Sequence, residues 1–299
     1  MGKSNKTILV TGGAGFVGTN LIKLLLDKTK YKILSLDNYS SSSRKNHIKS
    51  KRVKYFKGNT KDSSKLLNKF KNNIHTIFHF GEFSRIYQSF LKMDECLESN
   101  SIGSNEIFNF CLRNKIKLVY SATSASLGNQ GKDKNLSPYA FSKAKNLELL
   151  ENLKKWFQFK YEVIFFYNVY GPKQICKGDM ATVIGIFEDH FNRKKPLPVV
   201  RPGSQSRRFT HIEDTIKVCY KAWKKNKNIF YSITNKKSYS ILEVAKMFKS
   251  KIKFLAPRKG ERYASALTKI TLSNKVHKNY GKISLVNYIE NFIKSQKNL

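Results

Sequence analysis

Thr7-Ile8-Leu9-Val10-Thr11-Gly12-Gly13-Ala14-Gly15-Phe16-Val17-Gly18 opens the chain, and Leu21, Ile22, Leu24, Leu25 and Leu26 follow at helical spacing. A short apolar run, a glycine turn and an amphipathic stretch read as strand, tight turn and helix. Gly12 lets the chain turn where a side chain would clash. Gly15 lets backbone approach a pyrophosphate at the helix N-terminus, and Gly18 permits close packing of helix on strand. The spacing is G-x-x-G-x-x-G. The next apolar run, Lys32 to Leu36, ends in Asp37. A carboxylate there can accept both hydroxyls of an adenosine ribose and repel a 2′-phosphate, so NAD is expected over NADP.

The same alternation continues outward. Strands are predicted at Val53–Phe56, Thr76–Phe80, Leu118–Tyr120 and Glu162–Phe166, with helices between them, including Asp94–Arg113 and Tyr139–Trp156. This predicts an α/β fold: a Rossmann-type doubly wound parallel sheet with a smaller C-terminal substrate-binding region. The expected division is 1–172 for the cofactor-binding core with the catalytic residues and 173–299 for the substrate region, with segments that can return to the core. Ligands then belong beyond the C-terminal strand ends, where Gly12, Asp37, Asn59, Gly81 and Thr123 fall. His79, inside an apolar strand, reads as a core histidine. Glu82 and Arg85 could pair with each other or face the dinucleotide.

The second half alternates less regularly. Helices are expected over Met180–Phe191, Asp214–Trp223 and Ile241–Phe248. A short strand is expected at Tyr231–Ile233, an edge pairing at Ile252–Leu255, a basic turn at Arg193–Pro198 and a helical end after Lys269 with a frayed tail. Gly203–Arg208 is polar and basic. Arginine offers a planar fork of donors suited to phosphate.

The 299 residues are enough for a sizeable core, and 40% of them are hydrophobic. No apolar run approaches the roughly 18 residues of a membrane span, so no membrane insertion is expected. The N-terminus enters the first strand too early for a signal peptide, and Cys96, Cys111, Cys176 and Cys219 are scattered without metal-type spacing. A cytoplasmic protein with reduced thiols and no bound metal is expected. The formal net charge of +37 is large, but the lysines spread over the whole chain. They read as solvated faces, with no specific nucleic-acid partner.

Tyr139-Ala140-Phe141-Ser142-Lys143 is Y-x-x-x-K, which puts phenol and ammonium on one side of a helix. The cation can lower the phenol pKa, so the phenolate can take a proton from a sugar hydroxyl as hydride leaves the same carbon. Thr123 can hydrogen-bond the reacting oxygen.

With these residues in order, the chain resembles the extended short-chain dehydrogenases/reductases, specifically the nucleotide-sugar epimerase/dehydratase family and its UDP-glucose 4-epimerase-like members. The likeness rests on the glycine motif, Asp37, Asn100 with Gly103, Ser121-Ala122-Thr123 and the Tyr139/Lys143 pair. It continues through Asn168-Val169-Tyr170-Gly171-Pro172, Arg207-Arg208-Phe209-Thr210-His211-Ile212-Glu213-Asp214 and Arg258-Lys259-Gly260-Glu261. The resemblance implies tightly held NAD. Gly12, Gly15, Phe16 and Gly18, with Val17, would line the phosphate turn, and Asp37 would hold the adenosine ribose beside Asn38. Asn59 and Thr60 would flank adenine, Phe80 and Gly81 would pass beside the cofactor, and Asn100 would support it. Thr123, Tyr139 and Lys143 would be the catalytic set, with Tyr139 and Lys143 also touching the cofactor. Asn168 would contact the substrate, Arg207 and Arg258 would clamp its diphosphate, and Glu82 would face the sugar. The Tyr139 helix and the helix before it would form the four-helix interface of a homodimer.

The chain departs from that family at four places. Asn59 stands where many relatives have Asp. Glu82 replaces a small apolar residue. Leu127 stands before Gly128 where the family has Tyr. Ser124-Ala125 replaces the Asp-Glu pair that serves dehydration. The expected activity is therefore NAD-dependent C4 epimerisation of a nucleotide-sugar through a transient 4-keto intermediate, with a UDP-hexose or UDP-N-acetylhexosamine as substrate. The alternatives are a 4,6-dehydratase, a 4-keto reductase and a non-catalytic nucleotide-binding protein.

Overall fold

The computed structural model describes residues 6–126, 134–260 and 276–297. Its centre is an eight-stranded sheet. Thr7–Thr11 (β1), Lys32–Asp37 (β2), Val53–Lys57 (β3), Ile74–His79 (β4), Lys117–Thr123 (β5) and Tyr161–Phe166 (β6) are joined by Phe230–Thr234 and Val276–Tyr280. From one edge the order is β3, β2, β1, β4, β5, β6, Phe230–Thr234 and Val276–Tyr280. Every neighbouring pair is parallel. The order reverses between β1 and β4, and the crevice beyond such a switch point is where this fold class binds ligands.

The alternation along each strand explains the two layers. Leu9, Leu34, Leu36, Ile77 and Tyr120 face one core, closed by Ile107 and Phe108 on one helix and Leu147 and Leu150 on another. Ile8, Val10, Ile33, Phe78 and Val119 face the opposite core, closed by Leu21, Ile22 and Leu25 of helix Phe16–Lys28 (α1) and by Ile212, Cys219 and Trp223. Strands covered on both faces read as near-continuous apolar runs, which is how the sequence presents them. A third cluster, with Tyr170, Phe187, Val199, Phe209, Val244, Phe248 and Ile289, forms the core of the C-terminal region.

Three expectations about the second half are corrected. Val276–Tyr280 is a strand on the sheet edge, paired with Phe230–Thr234, not part of a helical end. Only one short register of backbone bonds holds it, and none of its five residues is buried, so the apolar signal of a covered strand is missing. The basic turn reaches only to Pro196, because Leu197–Val200 forms a strand that supplies the partner for Ile252–Leu255. The expected helical end is the helix Leu285–Lys297, and the basic residues expected to fray are helical as far as Lys297. Leu272 and Glu261 lie outside the described residues. The long Asp94–Arg113 stretch is helical but passes through a wide turn at Glu98–Gly103. No helix among the described residues is long and apolar enough to cross a membrane.

Candidate active site

The glycine turn is built as its spacing requires. Gly12 has φ +67°, in the left-handed region that favours glycine. A Cβ on Gly18 would stand 2.2 Å from the Gly12 carbonyl oxygen, so α1 can lie this close only without a side chain there. Gly15 is the N-cap of α1 and offers no side-chain cap. A Cβ built on it would meet nothing within 4 Å except the Gly12 carbonyl oxygen at 3.1 Å. The first turn, Phe16-Val17-Gly18, therefore presents uncapped N–H groups, an anion seat.

Asp37 closes β2 beneath this turn. Its Oδ2 accepts from Ala14 N at 2.9 Å and its Oδ1 from Tyr39 N at 2.9 Å and Ser42 Oγ at 2.8 Å. The carboxylate thus ties the glycine turn to the loop after β2. Asn38 Nδ2 donates to Asn59 Oδ1 at 2.8 Å, which bridges the ends of β2 and β3. Thr60 is buried beside Gly103, where a Cβ would meet its Oγ1 at 2.1 Å.

The segment after β4 is fixed from two sides. Thr11 Oγ1 accepts from Phe80 N at 3.1 Å and Gly81 N at 2.9 Å. Fully buried Asn100 accepts from Phe83 N at 2.7 Å and donates to Phe83 O at 3.0 Å and Ser142 Oγ at 3.2 Å. Asn100 therefore acts here as a clamp on the backbone that carries Glu82. Glu82 and Arg85, read as a possible pair, do not pair. Arg85 turns to Met180 O, at 2.6 Å from Nη2, and Glu82 turns inward to Lys143.

Helix Pro138–Phe157 carries the Y-x-x-x-K residues. Ser137 caps it by accepting from Ala140 N at 3.1 Å, and Pro138 occupies the first turn, where its missing N–H costs nothing. Tyr139 is thereby placed in that first turn, packed with Phe83, Cys96, Ala125 and Ala140. Lys143 lies one turn on. Its Nζ donates to Ser121 O at 2.6 Å and to Glu82 Oε2, and sits 4.6 Å from the Tyr120 ring centre. Burial lowers the Lys143 pKa, and the Glu82 charge and hydrogen bond oppose that. Thr123 ends β5, and its Oγ1 accepts from Ala125 N at 3.1 Å.

Glu82 Oε1 takes further donors from Ser104 Oγ at 2.8 Å, Tyr120 OH at 3.0 Å and Asn146 Nδ2 at 3.3 Å. Ser104 in turn meets His79 Nε2 at 2.9 Å, and His79 Nδ1 meets Thr11 Oγ1 at 2.7 Å. Burial pushes the His79 pKa down to about 4, so the ring is neutral near pH 7. Every donor is satisfied if Thr11 donates to Nδ1, Nε2–H donates to Ser104 and Ser104 donates to Glu82. His79 is the satisfied core histidine the apolar strand suggested. It also joins the glycine turn to Lys143 through an unbroken polar chain.

Ser104, Tyr120 and Asn146 were not singled out from sequence. Asn146 had a signal, since it lies three residues beyond Lys143 on the same helix face. Ser104 and Tyr120 had none, because their contacts cross between elements far apart in the chain.

The remaining candidates sit at the junction with the C-terminal region. Asn168 Nδ2 donates to Arg208 O at 3.0 Å. Arg207 lies in the short pairing of Ser206–Arg207 with Tyr239–Ser240, and its Nη1 donates to Ser206 O at 2.8 Å. Arg208 Nε is buried with no hydrogen-bond partner among the described residues. Arg258 is exposed, with its guanidinium 5.1 Å from the Tyr87 ring centre. Asp214 binds the backbone N–H of Lys282 and Ile283 at 2.9 and 3.0 Å, holding the segment after the last strand against the start of its own helix. Leu127 and Gly128 lie outside the described residues.

The pattern of the NAD dependent epimerase/dehydratase family matches residues 8–234. The chain belongs to that family, a group of extended short-chain dehydrogenases/reductases. It is 30% identical over 259 residues to ADP-L-glycero-D-manno-heptose-6-epimerase of Brachyspira hyodysenteriae, covering 81% of this chain and 80% of that protein. It is 28% identical over 235 residues to dTDP-D-glucose 4,6-dehydratase of Dictyostelium discoideum, covering 70% of this chain and 53% of that protein. The crystal structure of UDP-glucose 4-epimerase with UDP-glucose from Thermotoga maritima superposes with a TM-score of 0.85 at 22% identity, covering 98% of this chain and 99% of that one. That superposition is a likeness of fold. The three relatives carry different reactions within one family, so the chemistry of this chain is argued from its own residues.

Proposed function

We propose that this protein is an NAD-dependent C4 epimerase of a nucleotide-sugar, with a UDP-hexose or UDP-N-acetylhexosamine as substrate. The carrying observation is the pairing of Thr123 and Tyr139 with Ser124-Ala125 in place of an acid and a base. The residues after the strand-end hydroxyl supply none of the carboxyl groups that loss of water needs. The residues fit the dinucleotide: the uncapped α1 N-terminus suits its pyrophosphate, open space above Gly15 admits it, and Asp37 suits the adenosine ribose. Bound NAD supplies a hydride acceptor that returns the hydride in the second half of the cycle.

The chain's own residues do the rest. Tyr139 takes the proton from the C4 hydroxyl and later returns it to the ketone oxygen once the sugar presents its other face. Lys143 holds a positive charge one helical turn away, and Thr123 hydrogen-bonds the reacting oxygen. Arg207 and Arg258 suit the substrate diphosphate, and Asn168, bonded to Arg208 O, suits a contact to the substrate. Rotation of the 4-keto sugar between the two hydride transfers gives the C4 epimer without net redox.

The proposed assembly is a homodimer through helix Pro138–Phe157 and the helical stretch before it. These elements pack together, and they leave Phe141 (42% exposed) and Ile102 (59%) uncovered. Large apolar residues exposed in this way suit a second copy of the chain.

The deciding experiment incubates the purified, NAD-loaded protein with UDP-, dTDP- and GDP-sugars and identifies the products by NMR. Interconversion of C4 epimers supports the reading. A 4-keto-6-deoxy product replaces it with dehydration, and bound nucleotide without turnover replaces it with a binding role. Tyr139→Phe should lower turnover by about 10²–10⁴-fold.

A further inference from the structure

The Lys143 ammonium lies in a place where a charge is costly. Its side chain is 4% exposed and that of Glu82 is 2% exposed, so water screens neither. Among the described residues, two acceptors reach Nζ: the Ser121 carbonyl and the Glu82 carboxylate. A carbonyl stabilises an ammonium far less than a carboxylate in direct contact does. The carboxylate is itself held by neutral donors, Ser104 Oγ, Tyr120 OH and Asn146 Nδ2, none of which competes with Lys143 as a cation.

We propose that Glu82 is a positioning residue that keeps Lys143 protonated and anchored at Ser121, and that it does not bind the sugar. Its role in turnover rests on the epimerase reading, whereas its effect on the lysine does not. A lysine without this partner would shed its proton as burial demands and would lose its charge beside Tyr139.

The other titratable groups around the pair are accounted for. His79 on β4 is neutral, with its pKa pushed down to about 4. Cys96, on the helix before the wide turn, is pushed up to about 11 by burial, and Tyr120 on β5 is raised well above its ordinary value by burial and by the Glu82 charge. Arg85 is held at Met180 O. His79, Cys96 and Tyr120 therefore do not titrate between about pH 6 and 9, and a transition there next to Glu82 is not theirs.

The test is a pH titration of the protein carrying ¹³C at its lysine ε-carbons, read by NMR without substrate, with Lys143→Arg used to assign the signal. Exposed lysines titrate near their ordinary 10.4, so an earlier transition is distinguishable. The native Lys143 signal should remain that of an ammonium through pH 8. In Glu82→Gln the midpoint should fall by about one to three pH units, the size of a lost neighbouring charge, and Glu82→Asp should restore most of it. An uncharged Lys143 at pH 7 in the native protein overturns the proposal, even if Glu82→Gln does not fold. So does an equal midpoint in a folded Glu82→Gln. With an epimerisable sugar in hand, the alkaline limb of kcat/KM should move down in Glu82→Gln by the same shift. A uniform loss of rate with unchanged limbs would reduce Glu82 to a packing role. If no sugar is turned over, the epimerase reading fails and the lysine titration still decides this one.

Discussion

Gly12 and Gly81 touch backbone to backbone: a Cβ on Gly81 would stand 2.8 Å from Gly12 N and 3.1 Å from the Thr11 Cβ. The turn after β1 and the turn after β4 cross here, at the point where the strand order reverses. Gly81→Ala should cost about 1–3 kcal/mol in thermal or urea unfolding through overpacking and should weaken NAD retention. Gly178→Ala is the control. Gly178 has a positive φ, which Gly81 lacks, but nothing lies within 4 Å of a Cβ there, so only the backbone penalty of about 1 kcal/mol applies.

Asp37 should set cofactor preference and local order together, because both its oxygens already hold backbone or hydroxyl donors. Asp37→Asn keeps the shape and loses the charge. Fluorescence titration should show NAD binding weakened by at least about tenfold, the size of a lost charge-assisted hydrogen bond. The ratio of NADP to NAD affinity should rise.

Stability should fall in mild acid because of His79. Its pKa is about 4 in the fold against 6.5 in the open chain. The unfolded chain therefore binds a proton that the folded one refuses. The contribution is fully present above pH 6.5 and is lost progressively as pH falls toward 4, by about 3 kcal/mol. Chemical denaturation at a series of pH values should show this slope. His79→Gln should be less stable at pH 7 yet flatter across that window.

The proposed dimer should respond to charge on its apolar face. Phe141→Glu combined with Ile102→Glu places two carboxylates among exposed apolar side chains. Light scattering should report a monomer. Unchanged mass would remove this face as the interface.

Much of this fold was legible because its signals are local. β1, β2, β4, β5 and β6 are buried along nearly their whole length and read as apolar runs, and the first four of them each end in a residue of the site or next to one. Tyr139 and Lys143 are legible because a single helix sets their spacing. What sequence could not supply is contact at long separation. The partner of Lys143 is Glu82, 61 positions away, and no periodicity links the two. The edge strand Val276–Tyr280 escaped for a related reason: its place is set by backbone bonds to Phe230–Thr234, to which side-chain pattern contributes little.

The interleaving of those last strands has a consequence for biosynthesis. β6 is an outer strand until Phe230–Thr234 docks on it, and that strand in turn receives Val276–Tyr280. A nascent chain that has passed Pro172 holds its glycine turn, Thr123, Tyr139 and Lys143 but carries a bare, apolar β6 margin. Such margins recruit other chains. A polypeptide ending at residue 172 should accumulate as insoluble aggregate, and co-expression of residues 173–299 should return part of it to solution. Completion of the sheet is then a step that follows translation of nearly the whole chain.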